Sequence, residues 1–333
     1  MRENYTFSFN RREFIKASVA GVISFRALPF DLLEKEKISG KAKIALFKTQ
    51  DRKKGVREVL RVLDFPPLKG KKILLKPNFN TADPTPGSTH NDTLSELIGE
   101  LKKRGASEIT IGERSGPPPT RSVLEDKGIF ELAKELGFQI LNFEELGDAD
   151  WVHFNPPGNH WPEGFYLAKP AVEAEYFVST CCLKTHQYGG VFTLSLKLAV
   201  GLTPKKLMRQ LHSSPDMRKM IAELNLGYRP RLIVLDGVGA FVDGGPSMGK
   251  KKEADVFIAG TDRVAVDAVG VAVLKELGSN EVIMNTKIFE QEQIKRAVEL
   301  SLGISQAEQI EFVTPDDPSR LYADKLKSIL AQG

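Results

Sequence analysis

Cysteine is nearly missing from this chain: Cys181 and Cys182 are its two representatives in 333 residues. Two thiols cannot build a disulfide framework or supply the four thiolates an iron–sulfur cluster takes. As neighbours they read as buried packing rather than as a strained vicinal disulfide. Histidine is almost as scarce. His90, His153, His160, His186 and His212 form no His-x-x-x-His pair, and no Cys-x-x-Cys occurs, so no closed zinc site is legible. A mixed site of His186, Asp236 and Asp243 stays open without any spacing to argue for it. The sequence names neither metal nor cofactor. No apolar run reaches the ~20 residues that cross a bilayer, so no stable transmembrane anchor is expected. Neither sign of charge dominates: 47 basic side chains face 43 acidic ones, and without a basic stripe a net charge of +4 gives no nucleic-acid partner.

What is present suits a globular protein. Hydrophobic residues make up 41% and charged residues 27%, enough apolar material for one large domain or two closely packed lobes. Residues 1–40 stand apart as export signal and linker. Arg11-Arg12 precedes Phe14-Ile15-Lys16, and the nine residues Ala17 to Phe25 are small or apolar. That order resembles a twin-arginine signal, an address read by machinery that exports folded proteins. The expected location is therefore periplasmic or otherwise extracytoplasmic, with the twin-arginine machinery as a partner. Arg26-Ala27-Leu28-Pro29 is a poor cleavage site, and the competing reading is a basic amphipathic helix or tail on a cytoplasmic protein.

From residue 41 to 333, apolar β-rich runs alternate with helical patterns, which predicts an α/β fold with a mostly parallel or mixed sheet flanked by helices. Strands are expected at Ile44 to Phe47, Ile73 to Lys76, Ile109 to Gly112, Gln139 to Phe143, Tyr176 to Thr180, Leu232 to Asp236 and Val256 to Ala259. Leu94, Leu97, Ile98 and Leu101 predict a helix capped by Asn91 or Asp92 and ended by Gly105. Asp262 caps a second helix ended by Gly278. Residues 150–169, with two Trp and three Pro, predict a hairpin or long loop, and any lobe boundary falls near 145–170. The tail reads as two helices around Ile310 to Val313.

Polar groups recur where strands end, which is where open parallel sheets bind ligands. After Ile73 to Leu75 come Lys76, Pro77 and Asn78, with Asn80, Ser88 and Thr89 beyond. After Tyr176 to Thr180 come Lys184 and His186, a cation beside a side chain whose ordinary pKa is near neutrality. Such a pair suits anion binding and proton movement, so His186 and Lys184 are catalytic candidates. Thr193 and Lys197, one helical turn apart, are ligand-binding candidates with Lys76 and Asn78. Asp236 closes a strand and is the candidate general base. Gly244-Gly245-Pro246-Ser247-Met248-Gly249-Lys250 nearly spells a phosphate-binding P-loop. Lys251 replaces the hydroxyl, however, and a strand follows where a helix is required. Gly244 and Gly245 then belong to a glycine loop that closes over a ligand or to an ordinary turn. Asp267 lies among apolar neighbours and needs a partner.

Lys76-Pro77-Asn78, Leu183-Lys184-Thr185-His186, Thr193-Leu194-Ser195-Leu196-Lys197, Gly201-Leu202, Asp236-Gly237, Gly244-Gly245-Pro246 with Gly249, and Asp262 through Asp267 occur in the order that resembles the family called domain of unknown function 362. The resemblance spans about residues 43–305. It implies an α/β protein without an agreed reaction, often associated with iron–sulfur ferredoxin modules. This chain departs from the pattern in lacking the ferredoxin cysteines, in having Cys181-Cys182 for Pro-Lys, and in having Leu198 for Asn. Two classes of function follow. One is an enzyme or enzyme-like protein binding a small anionic molecule or cofactor; the other is a non-catalytic ligand-binding or accessory protein with a redox partner.

Overall fold

The computed structural model describes residues 40–333. Arg11, Arg12 and the apolar run behind them lie outside the described residues. A nine-stranded sheet carries the fold. Its first half comprises β1 (Ala42–Lys48), α1 (Arg52–Val62), β2 (Lys72–Lys76), α2 (Asn91–Lys103), β3 (Glu108–Glu113), α3 (Thr120–Asp126), α4 (Ile129–Leu136) and β4 (Gln139–Asn142). A separate hairpin follows, β5 (Trp151–Phe154) with β6 (Phe165–Ala168), then the short α5 (Lys169–Val172). The second half comprises β7 (Tyr176–His186), β8 (Val191–Thr193), α6 (Met208–Ser213), α7 (Met217–Leu224), β9 (Pro230–Gly244) and β10 (Gly249–Gly260). The chain ends with α8 (Arg263–Glu276), α9 (Glu281–Asn285), α10 (Glu292–Glu299), β11 (Ile310–Val313) and α11 (Asp317–Gln332). The strand order is β11-β1-β10-β9-β7-β2-β3-β4, with β8 paired to β7. Strands β9, β7, β2, β3 and β4 are mutually parallel, while β10 is antiparallel to both of its neighbours. The mixed, mostly parallel sheet flanked by helices is the predicted fold class.

Alternation along the strands builds a core on each face. Ile44 and Leu46 join one apolar cluster with the helix α8, while Ala45 and Phe47 join the other with α1 and α2. In α2, Leu94, Leu97, Ile98 and Leu101 are buried as the periodicity predicts. Its cap is neither Asn91 nor Asp92. His90 stands at that position, its Nδ1 accepting from the Asp92 N–H at 3.1 Å. Asp262 does cap α8, accepting from the Ala265 N–H at 2.9 Å. The irregular segment folds as the β5–β6 hairpin and is fixed by Trp161, whose indole N–H donates to the Met220 carbonyl at 3.1 Å.

Three strands run further than their apolar stretches suggested. Polar residues were read as strand ends, but β7 continues through Lys184 and His186, pairing Lys184 with both Thr193 and Phe241. Asp236 does not close β9. It lies inside that strand at a register break, because Cys182 pairs with Asp236 and the next residue, Leu183, with Ala240. An Asp-Gly pair suits such a bulge: the Asp236 carboxylate accepts from the Val238 N–H at 3.1 Å, turning the backbone on itself. Beyond the break, β7, β9 and β10 project past the shorter strands and form a wall.

Candidate functional site

A cavity of about 690 Å³ opens where β2 and β3 end and β7 continues. That is the size of a small-molecule site. The residue following each strand exit is set by the pleat, and both exits carry charge. Lys76 ends β2, Glu113 ends β3, and the two form a buried pair with Nζ to Oε1 at 2.5 Å. Lys76 also donates to the Pro77 carbonyl at 2.7 Å, while the Glu113 carboxylate accepts from the Phe79 and Arg114 N–H groups, each at 2.8 Å. Burial pushes the Lys76 amine down and the neighbouring carboxylate opposes that.

Arg114 is held mainly by backbone: its guanidinium donates to the carbonyls of Thr203, Ser115 and Val200, and also to the Met208 sulfur at 3.3 Å. Burial lowers its pKa to about 10, which still leaves it a cation. Lys184, fully buried on β7, donates to the Gly87 carbonyl and, at 3.0 Å, to that of Pro246; burial lowers it to about 8. Six basic side chains line the cavity (Lys76, Arg114, Lys184, Lys197, Lys205 and Arg209), against Glu113 as the one carboxylate. The excess is large enough to make the field inside positive.

Four polar groups on this lining have nothing to bond. Asn78 Nδ2, His186 Nδ1 and Thr193 Oγ1 are buried without a hydrogen-bond partner. The fourth is Lys197, 7% exposed on the 3-10 turn Leu196–Leu202. Among the described residues its amine makes no hydrogen bond or ion pair. Burial, then the nearby cations Lys184 and Arg114, lower it to about 7. Native proteins rarely leave buried polar atoms unpaired, so this cluster marks the lining as a candidate contact surface.

The candidates from sequence divide into two groups. Lys76, Asn78, Lys184, His186, Thr193 and Lys197 line the same cavity. Lys184 and His186 share it because residues two apart on a strand face one way, not because they follow a strand end. Thr193 closes β8 and Lys197 sits on the 3-10 turn, so their approach does not come from α-helical spacing. The other four do not line it. Asp236 turns toward α1 and α2, accepting from Arg52 Nε at 2.9 Å and Thr93 Oγ1 at 2.6 Å. Asp267 finds its partners in Ser195 and Leu196, at the start of the turn that carries Lys197. Burial raises its carboxyl to about 7. Gly244 and Gly245 make the β9–β10 turn, with φ of 78° and 72°, and the next two residues, Pro246 and Ser247, reach the cavity. A Cβ on Gly245 would lie 2.1 Å from the Thr185 carbonyl oxygen, so glycine is what lets the turn rest on β7.

His186 needs a correction of role. Burial first, then Lys197 and Lys184, lower its pKa to about 2, so the ring is a neutral hydrogen-bonding group at ordinary pH. Of the groups that line the cavity, Lys197 is the one brought to about 7. Among residues the sequence reading passed over, Glu113 and Arg114 follow a strand as Lys76 does, and the same rule of strand exits finds them. Lys205 and Arg209 gave no signal, since charges on a short amphipathic segment look solvated. The described residues contain no cluster of three or more His, Cys, Asp or Glu side chains, and His186, Asp236 and Asp243 do not meet. Cys181 and Cys182 are free and buried. No helix among the described residues is long and apolar enough to cross a membrane.

Fold and cavity together describe an α/β protein with a cavity lined by basic side chains at the carboxyl ends of its strands. The family model described as domain of unknown function (DUF362) matches residues 73–272, and the chain belongs to that family. The thylakoid-associated protein sll1697 of Synechocystis sp. is 25% identical over 214 residues, covering 62% of this chain and 64% of that protein, so the chain spans less than two thirds of its length. The lactate racemase apoprotein from Thermoanaerobacterium thermosaccharolyticum aligns over 88% of this chain and 87% of that one, with 14% identity and a TM-score of 0.42.

Proposed function

We propose that this protein binds a small anionic molecule in the basic cavity and acts on it as an enzyme. The observation that carries the reading is the presence of the buried, unpartnered Asn78 Nδ2 and Thr193 Oγ1, with the Lys197 amine that has no acceptor among the described residues, on residues lining one cationic pocket. A carboxylate or phosphate in the cavity would offset the repulsion among Lys197, Lys184 and Arg114. Lys76 and Lys184 are already positioned by their own hydrogen bonds, so they present charge without reorganisation on binding. His186 contributes a neutral ring nitrogen to the bound ligand. Asp267 contributes by positioning.

Calorimetric titration with oxalate and with inorganic phosphate, of the unaltered chain and of Asn78→Ala, tests this. Binding weakened about tenfold in the variant is expected for one lost hydrogen bond to a charged group. Absence of binding by either anion to the unaltered chain argues against the reading. Native mass spectrometry of the purified protein identifies any ligand retained from the cell. Turnover of that ligand by the unaltered chain favours the enzyme, and its recovery unchanged favours a binding protein.

A second reading is a non-catalytic ligand-binding or accessory protein of a redox system; what supports an association with a larger assembly is the name of the thylakoid-associated relative. Export through the twin-arginine route fits both readings and rests on Arg11-Arg12 and the apolar run behind them. Changing both arginines to lysine and following the protein by cell fractionation tests it. Retention of the variant inside the cell is expected, and equal export of both forms refutes it.

A further inference from the structure

The lysines of the cavity are tethered with one exception. Lys76 is held by Glu113 and the Pro77 carbonyl, Lys184 by the carbonyls of Gly87 and Pro246, and Lys205 by Glu144 and the Pro118 carbonyl. Lys197 has no acceptor among the described residues, although its side chain is almost entirely buried and lines the same space. We propose that the Lys197 amine is a nucleophile that condenses with the carbonyl group of a small anionic aldehyde or ketone, such as an oxo acid or a phosphorylated carbonyl compound. This rests on the anion-binding reading and names the substrate class.

The geometry supplies what such chemistry requires. An amine attacks only when unprotonated, and a site without an acceptor for the ammonium, walled by Lys184 and Arg114, works against the protonated form. The lowering to about 7 is the expected consequence. Lys184, tethered and closer to its ordinary pKa, keeps a charge for the substrate's anionic group. A side chain on Gly190 would meet His186 Nδ1 at 2.9 Å and Lys197 Cε at 3.1 Å, so the glycine leaves the unpartnered ring nitrogen beside the lysine tail. His186 thereby stands as a neutral ring beside the lysine tail.

In the reaction the nitrogen lone pair attacks the carbonyl carbon, forming the C–N bond as the C=O π pair moves to oxygen. One proton passes from nitrogen to that oxygen by way of solvent, giving a neutral carbinolamine. The C–O bond then breaks, and the oxygen leaves as water with a second proton taken from solvent. The product is a protonated imine. One amine, one carbonyl and one proton thus give one iminium and one water, and no oxidant or reductant takes part.

The test treats the full chain with pyruvate, or with dihydroxyacetone phosphate, in the presence of sodium borohydride, followed by peptide mapping of the reduced adduct. One adduct per chain on Lys197, suppressed by excess oxalate or inorganic phosphate and lost in Lys197→Arg, is the expected result. The adduct is located in the unaltered protein, so the outcome does not depend on how the variant folds. No adduct on Lys197 with either probe, or labelling confined to exposed lysines, overturns the imine. Calorimetry with oxalate and phosphate keeps the two readings distinguishable. Anion binding without an adduct refutes the imine and leaves the anion site standing, whereas neither binding nor adduct refutes both.

Discussion

Asp267 accepts two hydrogen bonds from Ser195, from its N–H at 2.8 Å and from its hydroxyl at 2.6 Å, and so fixes the chain two residues before Lys197. A carboxylate inside α8 therefore sets where an amine in the cavity points, without reaching the cavity itself. Asp267→Asn keeps one carbonyl oxygen for these donors. The variant should bind oxalate less tightly while remaining folded.

The same substitution has a pH signature. Asp267 is raised from 3.8 to about 7 in the native protein, so between those values the folded state holds a proton that the unfolded state has released. Native stability therefore falls as pH rises through that interval. Urea unfolding at pH 5 and pH 8 should show the unaltered protein losing more stability than Asp267→Asn over that range. Parallel losses in both would refute the assignment.

Lys197 gives the opposite slope. Its amine is lowered from 10.5 to about 7, so between those values the unfolded chain binds the proton more tightly, and stability rises with pH. Lys197→Met removes a buried, unpartnered cation and should stabilise the protein at pH 6.5, by an amount of order 1 kcal/mol or more. The gain should shrink by pH 9.5. Thermal unfolding at the two pH values measures it, and a destabilised variant at pH 6.5 would contradict the environment described for this side chain.

The pair of Lys76 and Glu113 makes a different prediction because both members are buried. Glu113→Gln leaves the lysine without its counter-charge. Loss of one partner from a buried pair costs about 3 to 5 kcal/mol, and chemical denaturation at neutral pH should show a loss of that order. A change below about 1 kcal/mol would mean that the lysine relocates to solvent.

At the β9–β10 turn, Gly245→Ala combines a backbone at φ 72° with a Cβ 2.1 Å from the Thr185 carbonyl. The turn must lift from β7, and the Pro246 carbonyl that holds Lys184 moves with it. A loss of about 1 to 3 kcal/mol in stability is expected, together with weaker oxalate binding. Binding unchanged in the folded variant would show that Lys184 does not depend on this turn.

The fold was legible because its signals are local. Alternation in β1 and the three- and four-residue steps of α2 each report one face of one element, and the faces then have to meet. The cavity was legible in part for the same reason, since Lys76 ends an apolar strand, as Glu113, which drew no notice, also does. Asp236 misled because a single polar residue after an apolar run looks like an ending, whereas β9 bulges there and continues with β7 and β10 pairing on either side. The fate of His186 was beyond any spacing argument. Its lowered pKa comes from burial beside Lys184 and Lys197, and the second of these reaches it through a turn whose course depends on Asp267 in a distant helix.

Main-chain carbonyls, rather than carboxylates, restrain Arg114 and Lys184. A dipole orients an ion without cancelling it, so each restrained side chain keeps its formal charge for whatever enters. Attraction alone then discriminates poorly, and sulfate, nitrate or a buffer anion feels the same pull as a metabolite. Under the proposed function, selectivity would come from the neutral contacts, from the amide of Asn78, the hydroxyl of Thr193 and the contour of the walls.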